Sequence, residues 1–586
     1  MNGPSDSENS SLLRNHRVSL PRGRQKFVAG VIGCLAVAIV LRLCQLQGYQ
    51  QQEFTARVLR QKTMREMIPA RAGDILDREG RILATTIRCS SLFVNPEELA
   101  EHPAEIDRIA DALHFDREKL KSRIADRRTQ QFLWLKRRVS PEEEKIVRAL
   151  NLPKNAWGVR EEYLRRYPQN EIAAHVVGLR DIDGRGRGGI EEALDVQLRG
   201  TEGHQEMLRD ARGRVIEIVD TESHPPVPGD HVVLTIDAAL QVFVERTLNE
   251  LFQQWQPLSC CAVVTSPQTG EILAMGSRPG FNPAHPELAQ DTDWKNRPIA
   301  DVYEPGSTFK PCVIAWAMQQ GILHPDELID CENGAYRMGS RTLHDHHPYG
   351  SLSIVEILSK SSNIGMAKIG ERLGNEGLFE GITAFGFGRP TGILLPGELG
   401  GILHPLEKWT SYSTGSIPMG QEISTTPLQI ITAYGALANG GRLIAPRLVK
   451  SIGGKELAPV VSQIIRPEIS RWIVREALTQ VVEAGTGKKA RLEGYRVFGK
   501  TGTAQKLDPE TGGYSHRKHV ASFICGAPAE NPQVLVIVSV DEPSTAGEHY
   551  GGTVAAPPAT QILERALRHL KIPPTMEAKH EPLPRE

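Results

Sequence analysis

Three short motifs contain the residues of this sequence that could carry out covalent chemistry. They are, in chain order, Ser307-Thr308-Phe309-Lys310, Ser361-Ser362-Asn363 and Lys500-Thr501-Gly502-Thr503. Pro305 and Gly306 precede the first motif and Pro311 follows it, where a proline is tolerated only in the first turn of a helix. The sequence therefore predicts Ser307 at a helix N-terminus, with Lys310 on the same face and within reach of its hydroxyl group.

These residue types suit acyl transfer through a serine. A serine hydroxyl becomes an efficient nucleophile when a neighbouring base takes its proton, and a lysine can be that base if its ammonium form is disfavoured. We expect repulsion from Lys500, with partial burial in addition, to lower the pKa of Lys310. Ser361 is expected to relay a proton towards the leaving group, and the amide of Asn363 to contact a substrate carbonyl and a lysine.

The third motif predicts what the substrate carries. Lys500, Thr501 and Thr503 offer a cation and two hydroxyl groups, which favour binding of a carboxylate, and Gly502 lies between the threonines. The backbone N–H groups of Ser307 and Thr503 could form an oxyanion hole. The predicted catalytic residues are Ser307, Lys310 and Ser361, and the predicted substrate-binding residues are Asn363, Lys500, Thr501, Gly502 and Thr503.

Two other patterns compete with this interpretation. Residues Gly494 to Thr501 match the phosphate-loop pattern G-x-x-x-x-G-K-[ST], but a phosphate loop follows a buried strand and opens a helix, whereas this segment follows helical and loop sequence. A cluster of metal-ligand types, Cys331, His344, Asp345, His346 and His347, has no known ligand spacing. We therefore predict neither a nucleotide site nor a metal site, and expect a polar loop at the rim of the cleft.

Composition limits the remaining choices. The chain has 586 residues, 40% hydrophobic and 24% charged, with a formal net charge of -1, which predicts several globular domains and excludes a nucleic-acid binder. Its eight cysteines have no C-x-x-C pair or regular spacing, so neither a zinc ribbon nor a disulfide scaffold is indicated.

An apolar run near the start predicts a membrane anchor. It extends uncharged from Phe27 to Leu41 and reaches Leu46 with only Arg42 interrupting, close to the ~20 residues that cross a bilayer. A cleaved signal peptide is the alternative, but the small-residue site 36–38 lies inside the run rather than after it. Basic residues are nearly balanced on the two sides, so they do not settle the orientation. Residues 1–26 are predicted to be a polar cytoplasmic tail.

Periodicity predicts an α+β chain with a break near its middle. Residues 53–67 could continue the anchor as a helix, and helices are also predicted at 104–113 and 141–150. The proline-rich segment 224–229 is the clearest linker. After it, a strand (232–236), an amphipathic helix (240–251), a hairpin (262–274), two apolar strands (519–526 and 534–540) and a helix (560–570) favour an antiparallel sheet between helices.

The motifs also resemble those of a known family. Ser-x-x-Lys with a Ser-x-Asn motif and Lys-Thr-Gly is typical of active-serine penicillin-binding enzymes. The longer segments Tyr303 to Lys310, Gly499 to Gln505, Leu234 to Asp237, Pro267 to Met275 and Gly73 to Arg78 are similar to those of the class B penicillin-binding proteins, the monofunctional peptidoglycan D,D-transpeptidases. One difference is that Ala72 stands between Arg71 and Gly73, where the family commonly has the arginine directly before the glycine.

The resemblance implies a domain order and an activity. It implies a tail (1–26), an anchor (27–46), a pedestal or dimerisation-type domain (47–222), a linker (223–230), a transpeptidase domain of the penicillin-binding and β-lactamase-like fold (231–575) and a tail (576–586). It implies crosslinking of D-Ala-D-Ala stem peptides through a Ser307 acyl-enzyme, sensitivity to β-lactams and no cofactor or metal. A D,D-carboxypeptidase or penicillin sensor of the same fold stays an alternative.

The resemblance also implies a place in the cell. The segment from Ser361 to Gly365 is similar to the division-type branch, whereas the elongation-type branch, the alternative, commonly has Asp where this chain has Asn363. We expect septal wall synthesis, with a membrane-embedded glycan polymerase and other division proteins as partners. The expected location is a single-pass inner-membrane protein with its catalytic domain on the periplasmic side.

Overall fold

The computed structural model describes residues 22–50, 63–209, 215–508, 512–544 and 550–576. Contacts divide the chain into two units, the first formed by Met1–Ile68 with Glu202–Pro225 and the second by Pro69–Thr201 with Pro226–Glu586. The predicted tails at 1–26 and 576–586 lie largely outside the described residues. We describe each unit by itself.

The strands are β1 (Thr63–Ile68), β2 (Ile75–Leu76), β3 (Ile82–Val94), β4 (Leu133–Val139), β5 (Trp157–Arg166), β6 (Leu179–Arg180), β7 (Gly186–Arg187), β8 (Gly203–Arg209), β9 (Val215–His224), β10 (Val232–Leu234), β11 (Ser259–Thr265), β12 (Ile272–Arg278), β13 (Leu328–Asp330), β14 (Ala335–Met338), β15 (Arg341–His344), β16 (Ser351–Ser353), β17 (Arg442–Ile444), β18 (Val449–Ile452), β19 (Lys455–Glu456), β20 (Val461–Gln463), β21 (Phe498–Leu507), β22 (Tyr514–Ala527) and β23 (Val534–Asp541).

The α-helices are α1 (Arg22–Cys44), α2 (Pro96–Leu99), α3 (Pro103–Leu113), α4 (Arg117–Ala125), α5 (Pro141–Ala149), α6 (Ala174–Val177), α7 (Gly189–Ala193), α8 (Asp195–Arg199), α9 (Ala238–Trp255), α10 (Arg297–Ala300), α11 (Lys310–Gln319), α12 (Ile354–Lys360), α13 (Asn363–Ala384), α14 (Ser413–Ser416), α15 (Pro427–Ala438), α16 (Pro467–Trp472), α17 (Thr479–Glu483), α18 (Gly551–Val554) and α19 (Ala556–His569).

The first unit contains the apolar helix and a small sheet. Helix α1 is followed by a π-helical turn, Gln45–Tyr49, and the span Gly23–Gly48 is long and apolar enough to cross a membrane. Strands β1, β8 and β9 form a three-stranded antiparallel sheet in that order. The predicted helix at 53–67 is wrong at its end, because Thr63–Ile68 is strand β1, and its earlier part lies outside the described residues.

The second unit begins with a mixed region that bears no predicted site residue. Its sheet has the order β19-β18-β10-β2-β3-β4, and β5 pairs with β3. Helices α3 and α5 confirm the predictions at 104–113 and 141–150. Apolar residues of the strands, including Leu92, Val94 and Leu135, pack with Ile109 and Val147 of these helices to form a core.

The larger part of the second unit is built on a five-stranded antiparallel sheet. Its order is β12-β11-β23-β22-β21, which confirms the predicted sheet between helices. Alternate residues of one strand enter different cores: Val263 packs in the core that contains α11 and α15, whereas Ala262 and Val264 pack with α9 and α19. Because both faces are covered, β11 is buried along its whole length, which explains its continuous apolar sequence.

Candidate active site

The nucleophile candidate lies at the start of a helix, as predicted. A 3₁₀ turn, Gly306–Thr308, contains Ser307 and leads into α11, whose first residue is Lys310. Gly306 has a φ of 54°, a left-handed conformation that glycine adopts without strain. Thr308 Oγ1 donates to the carbonyl of Pro305 at 2.7 Å. The turn thus holds Ser307 partly exposed while Lys310 is fully buried.

Ser361 joins the three motifs. It lies between α12 and α13 with a φ of 61°, a conformation that costs a serine free energy and marks a site under constraint. Its Oγ donates to Ser307 Oγ at 2.9 Å and accepts from Lys310 Nζ at 3.3 Å and from Lys500 Nζ at 3.1 Å. A single hydroxyl group therefore connects the nucleophile candidate to both lysines.

Lys310 is surrounded by neutral oxygen atoms. Its Nζ donates to the backbone oxygen of Ser361 at 2.7 Å, to that of Ser362 at 3.3 Å and to Asn363 Oδ1 at 2.9 Å. The predicted contact between the Asn363 amide and a lysine is confirmed. Between the described side chains of Ser307 and Lys310 no direct hydrogen bond is present, because Ser361 lies between them.

Burial has the largest effect on the protonation of both lysines. It lowers the pKa of Lys310 to about 7, and the negative charge of Asp345 opposes this shift. It also lowers the pKa of Lys500 well below its usual value, and the charge of Lys310 acts in the same direction. The predicted lowering of the Lys310 pKa and the predicted effect of burial are therefore confirmed, whereas the repulsion between the two lysines acts on Lys500.

The sequence did not indicate that Asp345 contacts the second motif. It accepts hydrogen bonds from Ser362 Oγ at 2.6 Å, from the backbone N–H of Ile364 at 3.1 Å and from the N–H of Asn363. It thereby caps α13 and holds the second motif in position. The contacts bridge 17 to 19 residues of chain, so no helical spacing signals them. Among the described residues no group of three or more His, Cys, Asp or Glu is arranged to hold a metal ion.

The third motif lies on strand β21, which is at the edge of the sheet in the described part of the chain and pairs with β22. Lys500 is fully buried, and its Nζ is directed at Ser361 Oγ. Thr501 Oγ1 shares a hydrogen bond with Thr486 Oγ1 at 2.8 Å, and Thr503 Oγ1 accepts from the N–H of Gly551 at 3.1 Å. A Cβ atom at Gly502 would lie 2.4 Å from Ser522 Oγ, so close packing requires glycine there.

This placement contradicts the phosphate-loop alternative. A phosphate loop presents its lysine at the start of a helix, where backbone N–H groups cradle the phosphates. Lys500 and Thr501 instead lie inside a ten-residue strand, with the lysine buried behind the nucleophile candidate.

Comparison with known proteins agrees with the geometry. A family model for the penicillin binding protein transpeptidase domain matches residues 260–564, and one for the penicillin-binding protein dimerisation domain matches residues 67–234. The chain is 33% identical to the probable peptidoglycan D,D-transpeptidase PenA of Neisseria meningitidis over 94% of each chain. It is 31% identical to the peptidoglycan D,D-transpeptidase FtsI of Escherichia coli over 92% of this chain and 91% of that protein.

A solved structure is similar over most of the chain. Penicillin binding protein 3 of Mycobacterium tuberculosis, complexed with aztreonam, has 27% sequence identity and a TM-score of 0.68, covering 87% of this chain and 98% of that one.

Proposed function

The chain belongs to the class B penicillin-binding proteins, the monofunctional peptidoglycan D,D-transpeptidases, and we propose that Ser307 is the nucleophile of its transpeptidation. The observation that carries this proposal is the position of Ser361 Oγ, within hydrogen-bond distance of Ser307 Oγ, Lys310 Nζ and Lys500 Nζ. A nucleophile, a relay and two lysines of lowered pKa together form an activated serine.

Acylation uses the neutral form of Lys310. The proton of Ser307 Oγ passes through Ser361 to the lysine, and Oγ forms a bond to the carbonyl carbon of the penultimate D-alanine of the donor peptide. The bond from that carbon to the terminal D-alanine nitrogen breaks, and the leaving amine takes the proton back through Ser361. Since Lys310 has a pKa of about 7, it exchanges protons in both directions near neutral pH.

The other motif residues bind the substrate. The hydroxyl groups of Thr501 and Thr503 on the edge strand receive the terminal carboxylate of the donor, and Gly502 lets the strand pack closely behind them. Asn363 orients a substrate amide as well as Lys310. The N–H groups of Ser307 and Thr503 stabilise the developing oxyanion, an effect worth ~10²–10³ in rate per donor. Lys500 donates a hydrogen bond to Ser361 Oγ and so keeps it in position. Repulsion between the two lysines disfavours the state in which both are protonated.

Labelling with benzylpenicillin tests this assignment. The drug carries a strained amide and a carboxylate, which match the features that the site is inferred to bind. After digestion of the labelled full-length chain, peptide mass spectrometry should find one penicilloyl adduct, on Ser307. An unlabelled folded protein, or an adduct on another serine, would contradict the assignment. The rate at which the adduct hydrolyses helps to distinguish a transpeptidase from a carboxypeptidase or a sensor.

The cellular role is proposed from the second motif and from the relatives. The Ser361-Ser362-Asn363 sequence and the likeness to FtsI support crosslinking of the septal wall. In this proposal the helix α1 anchors the chain in the inner membrane, the transpeptidase domain (231–575) lies on the periplasmic side, and the anchor with the pedestal (47–222) contacts a membrane-embedded glycan polymerase and other division proteins. The wall that is crosslinked lies outside that membrane, which supports the orientation.

Depletion in the source cell tests the division role. Filaments or failed septation, with a tagged copy at midcell, are the expected results. Rounded cells with a lateral distribution would favour elongation and leave the catalytic assignment unchanged. Protease treatment of spheroplasts should degrade the catalytic domain, whereas protection of it would contradict the proposed orientation.

A further inference from the structure

A polar cavity of about 360 Å³ begins where the third motif ends. It is lined by Ala504 to Leu507, which continue strand β21 after Thr503, and by Val302 to Glu304, which come shortly before Ser307. Lys295, Asp301 and Asp541 also line it. The proposed mechanism uses none of these side chains.

The cations of this cavity are already neutralised. Lys506 Nζ lies 2.9 Å from Asp541 Oδ1 and 2.7 Å from Glu542 Oε1, and Lys295 Nζ lies 2.6 Å from Asp301 Oδ1. Every lysine of the lining is therefore held by at least one carboxylate.

Glu304 is the carboxylate left without a cation. Its Oε1 accepts from the backbone N–H of Glu422 at 3.0 Å and from the hydroxyl of Tyr514 at 3.0 Å, and both donors are neutral. No lysine or arginine among the described residues forms an ion pair with it. Burial, reinforced by the charge of Glu422, raises its pKa, so it is both an anion that attracts cations and a better proton acceptor than an ordinary carboxylate.

A buried tyrosine also lines the cavity. Tyr303 is only 9% exposed, and the hydroxyl groups of Ser522 and Ser539 lie near its own. It adds a polar group to the wall that Glu304 forms.

The cavity is in direct contact with the nucleophile segment. The N–H of Gly306 donates to the carbonyl of Gly420 at 3.1 Å, and a Cβ atom at Gly306 would lie 3.5 Å from the backbone oxygen of Thr503. The residues from Tyr303 to Ser307 are therefore clamped between the loop that ends at Thr425 and the end of the third motif. Glu304 belongs to this segment and lies three residues before Ser307 in the chain.

We propose that Glu304 and this cavity bind the acceptor strand of the crosslinking reaction through the protonated primary amine of its diamino-acid side chain. This inference rests on the proposed transpeptidase function and names the second substrate of the same site. The acceptor arrives as an ammonium ion in water, and the excess carboxylate supplies its counter-ion.

The proton balance is complete within the site. The ammonium group gives one proton to Glu304, and its nitrogen forms a bond to the acyl carbonyl carbon while the bond from that carbon to Ser307 Oγ breaks. A second proton passes from the nitrogen to neutral Lys310 and through Ser361 to Ser307 Oγ. Glu304 then releases its proton to water in the cavity.

Partition of the acyl-enzyme tests the inference. The full chain in detergent is acylated with the thioester N-benzoyl-D-alanyl thioglycolate, and aminolysis is measured against hydrolysis. The acceptors are Nα-acetyl-lysine amide, an ammonium ion near neutral pH, and hydroxylamine, which is largely neutral there. E304Q keeps the shape and can still accept both neutral hydrogen bonds. This variant should lower the ratio of aminolysis to hydrolysis on the order of 10²-fold for the lysine derivative. It should leave the same ratio for hydroxylamine nearly unchanged.

Two controls complete the design. E407Q removes an exposed carboxylate from the same unit of the chain and should leave both ratios unchanged. Tyr514→Phe, which removes one donor to Glu304, should lower the lysine ratio less than E304Q does. An equal loss with both acceptors in E304Q, or no loss with either, would overturn the acceptor site. Failure of the unmodified chain to acylate at all would instead overturn the proposed function, so the two failures are distinguishable.

Discussion

Buried cations occur both in the pedestal region and in the active site, and their surroundings differ. In the pedestal region Glu191, fully buried, accepts from Arg165 Nε at 2.6 Å and from Arg180 Nε at 2.6 Å, and the two arginine side chains are only 3% and 4% exposed. In the active site Lys310 and Lys500 are equally buried, but their hydrogen-bond acceptors are neutral oxygen atoms of Ser361 and its neighbours.

The difference explains what each cluster does. A buried carboxylate keeps the neighbouring cations charged and fixes the chain segments that carry them. The cost of desolvation decides whether the net effect on the free energy of unfolding is favourable. Burial of a lysine without a counter-ion instead raises the free energy of its charged form, so its neutral form is available as a base near neutral pH. The first arrangement stabilises a fold, and the second supports catalysis.

The largest expected effect is the loss of the active-site base. Lys310→Ala should lower the second-order rate of acylation by benzylpenicillin ~10²–10⁴-fold, because the proton acceptor is removed. The fold should survive, since no ion pair is broken, and thermal unfolding followed by circular dichroism checks this. Lys408→Ala, at an exposed position, is the matched control and should acylate normally. Near-normal acylation by the Lys310 variant would place the base elsewhere.

The opposite pattern is expected in the pedestal cluster. Glu191→Gln leaves the buried guanidinium group of Arg165 without a counter-ion and leaves Arg180 with only Asp195, at 3.0 Å. It should lower the free energy of unfolding by about 3–5 kcal/mol, while the molecules that remain folded acylate at the normal rate. Denaturant unfolding and penicillin labelling measure the two quantities. Glu161→Gln breaks an exposed pair with Arg88 and should cost less than about 1 kcal/mol. Slower acylation by the folded Glu191→Gln protein would contradict the conclusion that this cluster stabilises the fold and takes no part in catalysis.

The pH dependence of acylation tests the cause of the lysine shift. Because the neutral form of Lys310 is active and its pKa is about 7, the rate should rise about tenfold per pH unit below neutrality and level off above it. The charge of Asp345 raises that pKa, so Asp345→Asn should move the midpoint to lower pH. A stopped-flow pH profile of both proteins decides the point, and a midpoint that moves upward would contradict the assignment of Asp345.

The smallest effect is expected at the substrate carboxylate. Thr503→Val removes one hydroxyl group, whose hydrogen bond is worth about 0.5–1.5 kcal/mol, and should slow acylation by carboxylate-bearing substrates about tenfold or less. The backbone N–H of residue 503 survives the change. The matched probe is a donor whose terminal carboxylate is an amide, for which the variant and the original chain should differ little. An equal loss of acylation rate with both donors would mean that Thr503 does not bind the carboxylate.

Local spacing was enough to predict much of this protein. Ser307 and Lys310 are three residues apart beside a proline that permits only a helix start, and that arrangement follows from backbone sterics alone. The apolar run of α1 and four strands of the central sheet, β11, β12, β22 and β23, were equally visible, because each is a continuous or periodic pattern of side chains. Strand β21, which carries the third motif, was not predicted. The predicted helix that ends in β1 failed, since strand pairing with the distant β8 overrode the local pattern.

Tertiary structure alone decided the electrostatics. Lys500 reaches Ser361 across 139 residues of sequence, and Asp345 caps α13 from a loop with no helical spacing to it. The pKa of Lys310 depends on how completely water is excluded, which no spacing encodes, so the sequence indicated the direction of the shift but not that burial is its main cause. Glu304 likewise became a candidate for binding the acceptor only when the hydrogen-bond and ion-pair partners of the charged groups near it were known. The sequence by itself determined which groups can react, whereas the fold determined their protonation, because desolvation and charge compensation are properties of packed surroundings.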